Sequence, residues 1–105
     1  MAFSFTLNTG RTIPAIGYGT YKSIGDDSSR VFAEAIRQGY RYIDTASFYE
    51  NETEVGRAVK ESGVVRSELF LASKVWKTEM GYEETKEAFA RTLDNLGTDY
   101  LDQYL

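Results

Sequence analysis

Three residues of this chain carry groups that exchange protons or hold a charged partner: Asp44, Tyr49 and Lys74. Asp44 closes the apolar run "YRYID", Tyr49 follows five places later, and Lys74 closes "LFLASK". A purely structural strand gains from another Val or Ile at such ends. Burying a charge there costs several kcal/mol unless the charge is paired. An acid, a phenol and an amine at strand ends therefore read as a site built for acid–base work. Each residue also has a plainer reading when taken alone. Asp44 can cap a loop, Tyr49 can be a boundary aromatic, and Lys74 can snorkel from a strand edge. The chain has no histidine and no cysteine. The commonest acid–base group and metal ligand is thus missing, and thiolate and disulfide chemistry are excluded.

The elements that must position these groups follow from the pattern of apolar residues and breakers. "FSFTL" alternates as a short strand and "NTGR" reads as a hairpin turn with Gly10 at positive φ. Pro14 assigns the next segment to an edge or a turn. Ile16 to Thr20 reads as a glycine-rich strand, and Asp26, Asp27 or Ser28 can cap the helix after it. Val31, Phe32, Ala35 and Ile36 lie at helical spacing, and Gly39 is the expected stop. "YRYIDT" is the next strand. Asn51-x-x-Glu54 then resembles a capping box, with Val55, Ala58 and Val59 on one apolar face and Gly63 as the end. "LFLASKV" reads as a strand covered on both faces. A third helix is expected over Tyr82 to Leu96, with Phe89, Leu93 and Leu96 on one side and a Glu87–Arg91 pair on its surface. Gly97 stops it, and "DYLDQYL" begins a fourth strand. "GYRYID" and "GTDYLD" share a pattern that hints at a repeated βα unit.

The 105 residues allow one domain. Its 42% hydrophobic and 14% aromatic content fits a globular chain. A net charge of −4 gives no electrostatic reason to expect nucleic acid or an anionic membrane as partner. No apolar run approaches the ~20 residues that span a bilayer. "MAFSFTLNTG" lacks the basic flank and long apolar stretch of a signal peptide, so a cytoplasmic location is expected.

Strands alternating with helices imply a parallel sheet. A doubly wound nucleotide-binding sheet would carry Gly-x-Gly-x-x-Gly after its first strand. Here Gly17 and Gly19 are followed by Lys22 where the third glycine belongs, and no phosphate-loop motif occurs. A (β/α)8 barrel places its functional groups at the C-terminal ends of its strands. Gly19-Thr20-Tyr21, Asp44 with Tyr49, and Lys74 with Trp76 all fit that rule.

The segments "LNTGRTIPAIGYGTY", "GYRYIDTASFYENETEVGRAV", "SELFLASKVW" and "LDNLGTDYLDQYL" resemble the aldo-keto reductase family, in the family's order and over nearly the entire chain. The likeness is to bacterial members of the 2,5-diketogluconate reductase kind. The resemblance implies an α/β fold: the N-terminal half of a (β/α)8 TIM barrel, with four parallel strands and three helices behind a β-hairpin that closes the bottom. Residues 1–105 are then a single incomplete domain. It also implies an oxidoreductase that reduces aldehydes and ketones with NADPH and without a metal. Asp44, Tyr49 and Lys74 match three members of the family's catalytic set. Gly19, Thr20, Tyr21 and Asp44 are expected at the cofactor, and Tyr21, Phe48 and Trp76 at an apolar substrate pocket. For Tyr21, Phe48 and Trp76 the alternative is plain packing; for Gly19 it is relief of crowding at the barrel wall.

Hydride addition leaves negative charge on the carbonyl oxygen, which an acid must protonate. Tyrosine ionises near pH ~10 in water and is a weak donor unless its surroundings favour the phenolate. An adjacent ammonium does so, the role this reading gives Lys74, with Asp44 holding the lysine. The family's histidine follows Tyr-Leu-Ile, and Tyr104-Leu105 match the start of that pattern. The chain is therefore expected to be an inactive fragment. It would meet either the missing half of the barrel or another copy of itself through open sheet edges. Inward side chains such as Ile16, Ile43 and Leu71 would lose partners from the far half. A non-catalytic structural or regulatory protein on the same scaffold is the alternative.

Overall fold

The computed structural model describes residues 3–25 and 27–105. Strands β1 (Ser4–Thr6) and β2 (Thr12–Pro14) pair antiparallel, with Thr6 opposite Thr12. Gly10 makes their turn at φ +87°, a conformation that costs glycine no Cβ clash. Pro14 stands on a strand with one neighbour in a two-stranded sheet, where its missing N–H is tolerated.

The chain then alternates: β3 (Gly17–Gly19), α1 (Ser28–Arg37), β4 (Tyr42–Asp44), α2 (Glu52–Ser62), β5 (Phe70–Ser73), α3 (Tyr82–Leu96) and β6 (Gln103–Tyr104). The four later strands form one parallel sheet in chain order. Gly19 lies opposite Asp44, Asp44 opposite Ala72, and Ala72 opposite Gln103. A helix fills each crossover, so the layout is that of the first half of a (β/α)8 barrel. The hairpin sits at the opposite end from Asp44. A cleft of about 350 Å³ there is lined by Gly10, Arg11, Thr12 and Pro14, with Phe70 at the start of β5 and Asp102 just before β6.

Alternation along each strand divides the sheet into two faces. Tyr42, Asp44, Phe70 and Ala72 share one, while Ile43 and Leu71 lie on the other. Ile43 and Leu71 pack with Phe32 and Ile36 of α1, Val55 and Ala58 of α2 and Leu96 of α3. Each Phe, Ile, Val or Leu among them contributes about 1.5–3 kcal/mol when fully buried. Ile43 and Leu71 thus face the helices rather than the barrel interior, and Ile16 precedes β3 and is exposed. The expectation that Ile43 and Leu71 point inward is corrected by one step of alternation.

Other local readings shift by similar margins. On α1 the buried stripe is Ser28, Ser29, Phe32, Ala33 and Ile36, with Ala35 at its edge. Val31 lies about 130° from that stripe's centre at ~100° per residue, and is 52% exposed. Asp27 is the N-cap without a side-chain bond, Ser28 donates to the Gly25 carbonyl, and Asp26 falls outside the described residues. On α3 the buried ridge is Ala88, Thr92 and Leu96, with Phe89 and Leu93 half-buried on its flank. Arg91 pairs with Glu79 rather than with Glu87. The apparent repeat also separates in space. Asp44 ends β4, whereas Asp102 precedes β6 and accepts bonds from Arg66 and the Leu71 N–H near the start of β5.

Candidate active site

The C-terminal ends of β4 and β5 bring Asp44, Tyr49 and Lys74 together. Asp44 is the last residue of β4, and Tyr49 closes the 3₁₀ turn Ser47–Tyr49 that follows. Lys74 is the residue after β5. Its Nζ lies 2.8 Å from both Asp44 carboxylate oxygens, 3.0 Å from the Thr45 carbonyl and 3.3 Å from the Tyr49 hydroxyl. An ammonium has three hydrogens and no acceptor, so those three partners satisfy it. The side chains of Asp44 and Lys74 are each 30% exposed, open enough to be reached from solvent. Burial acts to lower the lysine's affinity for its proton. The bonds to Asp44 and Tyr49 outweigh it and hold Lys74 above the ordinary value of 10.5. Lys74 is therefore charged at neutral pH.

The surrounding loops are fixed by Thr20 and Asn51, to which the sequence reading gave other roles. Thr20 is 0% exposed, and both its N–H and its hydroxyl donate to the Asp44 carbonyl, at 3.1 and 3.0 Å. Its side chain thus steadies the end of β4, and the exposed Gly19 and Tyr21 are left open to a ligand. A Cβ on Gly19 would meet nothing within 4 Å, so relief of crowding does not explain that glycine here. Asn51 was expected to cap α2 but its side chain makes no cap bond. It is 0% exposed, donates to the carbonyls of Thr20 and Ser23, and accepts from the Thr45 hydroxyl. This knot explains two strained positions. Lys22 (φ +63°) and Glu50 (φ +57°) lie in the left-handed region, a cost of about 1–3 kcal/mol each for non-glycine residues. Each follows a tyrosine, and the rings of Tyr21 and Tyr49 pack 5.0 Å apart. Asn51 ties the two loops that carry them.

Phe48 and Trp76 stack beside this cluster, with ring centroids 3.9 Å apart and planes 18° from parallel. Behind the cluster, the buried Glu52 carboxylate accepts from the hydroxyls of Ser73 and Thr92. Among the described residues, no three Asp, Glu, His or Cys side chains gather to hold a metal ion, and no helix is long and apolar enough to cross a membrane.

A family model described as the aldo/keto reductase family matches residues 15–105. The chain belongs to the aldo/keto reductase family. It is 47% identical over 105 residues to an aldo-keto reductase of Mycolicibacterium smegmatis, covering 100% of this chain and 38% of that protein. A solved aldo/keto reductase from Brucella melitensis superposes with TM-score 0.95 at 44% identity, over 100% of this chain and 40% of that one. The Bombyx mori aldo-keto reductase, solved in complex with NADP, gives TM-score 0.91 at 36% identity over 98% and 37%. The chain thus spans about two fifths of the length of the relatives it matches. Its four strands and three helices are part of an aldo/keto reductase barrel.

Proposed function

We propose that this chain supplies the proton-donating wall of an NADPH-dependent reductase of aldehydes or ketones, working as part of a complete barrel. The observation that carries this reading is the direction of the bond between Lys74 and Tyr49. Lys74 donates, so the Tyr49 oxygen accepts and its own hydrogen remains free to be given to a carbonyl oxygen. As that proton leaves, the ammonium at 3.3 Å favours the phenolate, and Asp44 keeps the ammonium in place. A bound nicotinamide would supply the hydride. The accessible Gly19 and Tyr21, next to Asp44 across the sheet, leave room for such a group. Family membership and the NADP complex of the silkworm relative support both the chemistry and the choice of cofactor.

The test is to complete the barrel by joining residues 1–105 to the remaining part of the Mycolicibacterium smegmatis relative, and to follow NADPH oxidation with a panel of aldehydes and ketones. The expected result is oxidation that depends on added carbonyl compound, while the 105-residue chain alone is inert and binds NADPH poorly. A folded chimera that binds NADPH and reduces no carbonyl compound would instead support a non-catalytic scaffold.

A further inference from the structure

Outside the Asp44–Lys74–Tyr49 cluster, one carboxylate bridges the two loops that carry it. Glu79 closes the turn Lys77–Glu79, which follows β5. Its Oε1 accepts the Trp76 N–H at 2.9 Å and the Ser47 hydroxyl at 2.8 Å, and its Oε2 accepts from Arg91 of α3 at 3.2 Å. The Glu79 N–H returns to the Trp76 carbonyl at 2.9 Å. The Ser47 hydroxyl has one hydrogen and two acceptors within reach, Glu79 at 2.8 Å and the Lys74 carbonyl at 3.3 Å. The shorter contact is the stronger hydrogen bond. The residues joined in this way adjoin the stacked rings in sequence: Phe48 follows Ser47, and Trp76 itself is the other partner.

Building on the reductase reading above, we infer that Glu79 is a positioning residue whose single oxygen holds the Phe48–Trp76 stack as the apolar wall beside Tyr49, and so sets which carbonyl compounds fit. Core packing does not hold these rings, since Phe48 is exposed and Trp76 only half-buried. The carboxylate is suited to the task. The Trp76 N–H first, then the Ser47 hydroxyl and Arg91, hold Glu79 below the ordinary 4.5 against the opposing effect of burial. It is therefore ionised at neutral pH, and hydrogen bonds to an ionised acceptor are shorter and stronger than neutral ones.

Trp76 is the only tryptophan, so its emission reports this wall alone. In the 105-residue chain, Glu79→Ala should raise the acrylamide quenching of Trp76, and Ser47→Ala should raise it part of the way. Glu79→Gln keeps an acceptor oxygen for Ser47 and Trp76 but loses the charge that strengthens those bonds, and should fall between the parent and Glu79→Ala. Unchanged quenching in Glu79→Ala overturns the proposal. So does Glu79→Gln behaving like Glu79→Ala, which would assign the effect to the Arg91 pair. If Glu79→Ala loses its far-ultraviolet dichroism, Ser47→Ala carries the decision by the same criterion. In the completed barrel, Glu79→Ala should raise KM for apolar aldehydes several-fold with kcat retained, and loss of kcat at constant KM contradicts the assignment. The optical measurement involves no turnover, so an inactive chimera faults the reductase reading alone.

Discussion

Lys74 is held in a tug between burial and its partners, and the partners win: two carboxylate oxygens at 2.8 Å and the Tyr49 hydroxyl keep it protonated. Replacing it with Met keeps the apolar stem and removes the charge. In a completed barrel Lys74→Met should lose about 10²-fold or more in kcat, the scale of a disabled acid. A parent-like kcat would deny Lys74 that role. This cluster was legible in the sequence because Asp44 and Lys74 break apolar runs at strand ends, where a buried charge demands an explanation. Asn51 and Glu79 were not legible. Asn51 carries the signature of an ordinary helix cap, and its amide donates to the backbone carbonyls of Thr20 and Ser23, which no side-chain pattern reveals. Glu79 lies among other polar residues in a loop, and its partner Ser47 is 32 residues away.

At the scale of elements, helix periods and glycine stops fixed α3 over Tyr82–Leu96, with Gly97 closing it at φ +68°. Which side of a strand faces the helices was harder to read. Both faces of β4 and β5 carry apolar residues, so Ile43 and Leu71 fit either side until the helices are placed. The packing of α2 on α3 was also hidden in the sequence, and it rests on Gly56. A Cβ there would lie 2.5 Å from the Leu96 carbonyl oxygen and 2.8 Å from that of Asn95. Alanine gains about 1 kcal/mol over glycine inside a helix, but overpacking against fixed backbone costs about 1–3 kcal/mol. Gly56→Ala should therefore lower the urea midpoint of unfolding. A raised midpoint would show that the two helices separate freely.

For the whole molecule, a sheet in the order β3-β4-β5-β6 leaves β3 and β6 each paired on one side only. Beside β6, Tyr82, Phe89 and Tyr104 line an open cleft of about 510 Å³. Unpaired strands and exposed apolar faces invite association. The 105-residue chain is expected to form dimers or larger species, or to recruit a partner fragment, and light scattering reads this directly. A monodisperse monomer across the micromolar range would contradict it. The half-barrel was legible because each of its βα units carries its own period and stop. What closes the barrel depends on residues that lie beyond these four strands.

The claim on which the rest depends is that Tyr49 gives the proton. Single-turnover hydride transfer in the completed barrel, with Tyr49→Phe beside the parent, tests it most directly, because phenylalanine keeps the ring and removes only the acid. The account predicts a transfer rate lower by about 10²–10⁴-fold with NADPH affinity nearly unchanged. A rate within about twofold of the parent, far below what a lost general acid produces, would contradict it.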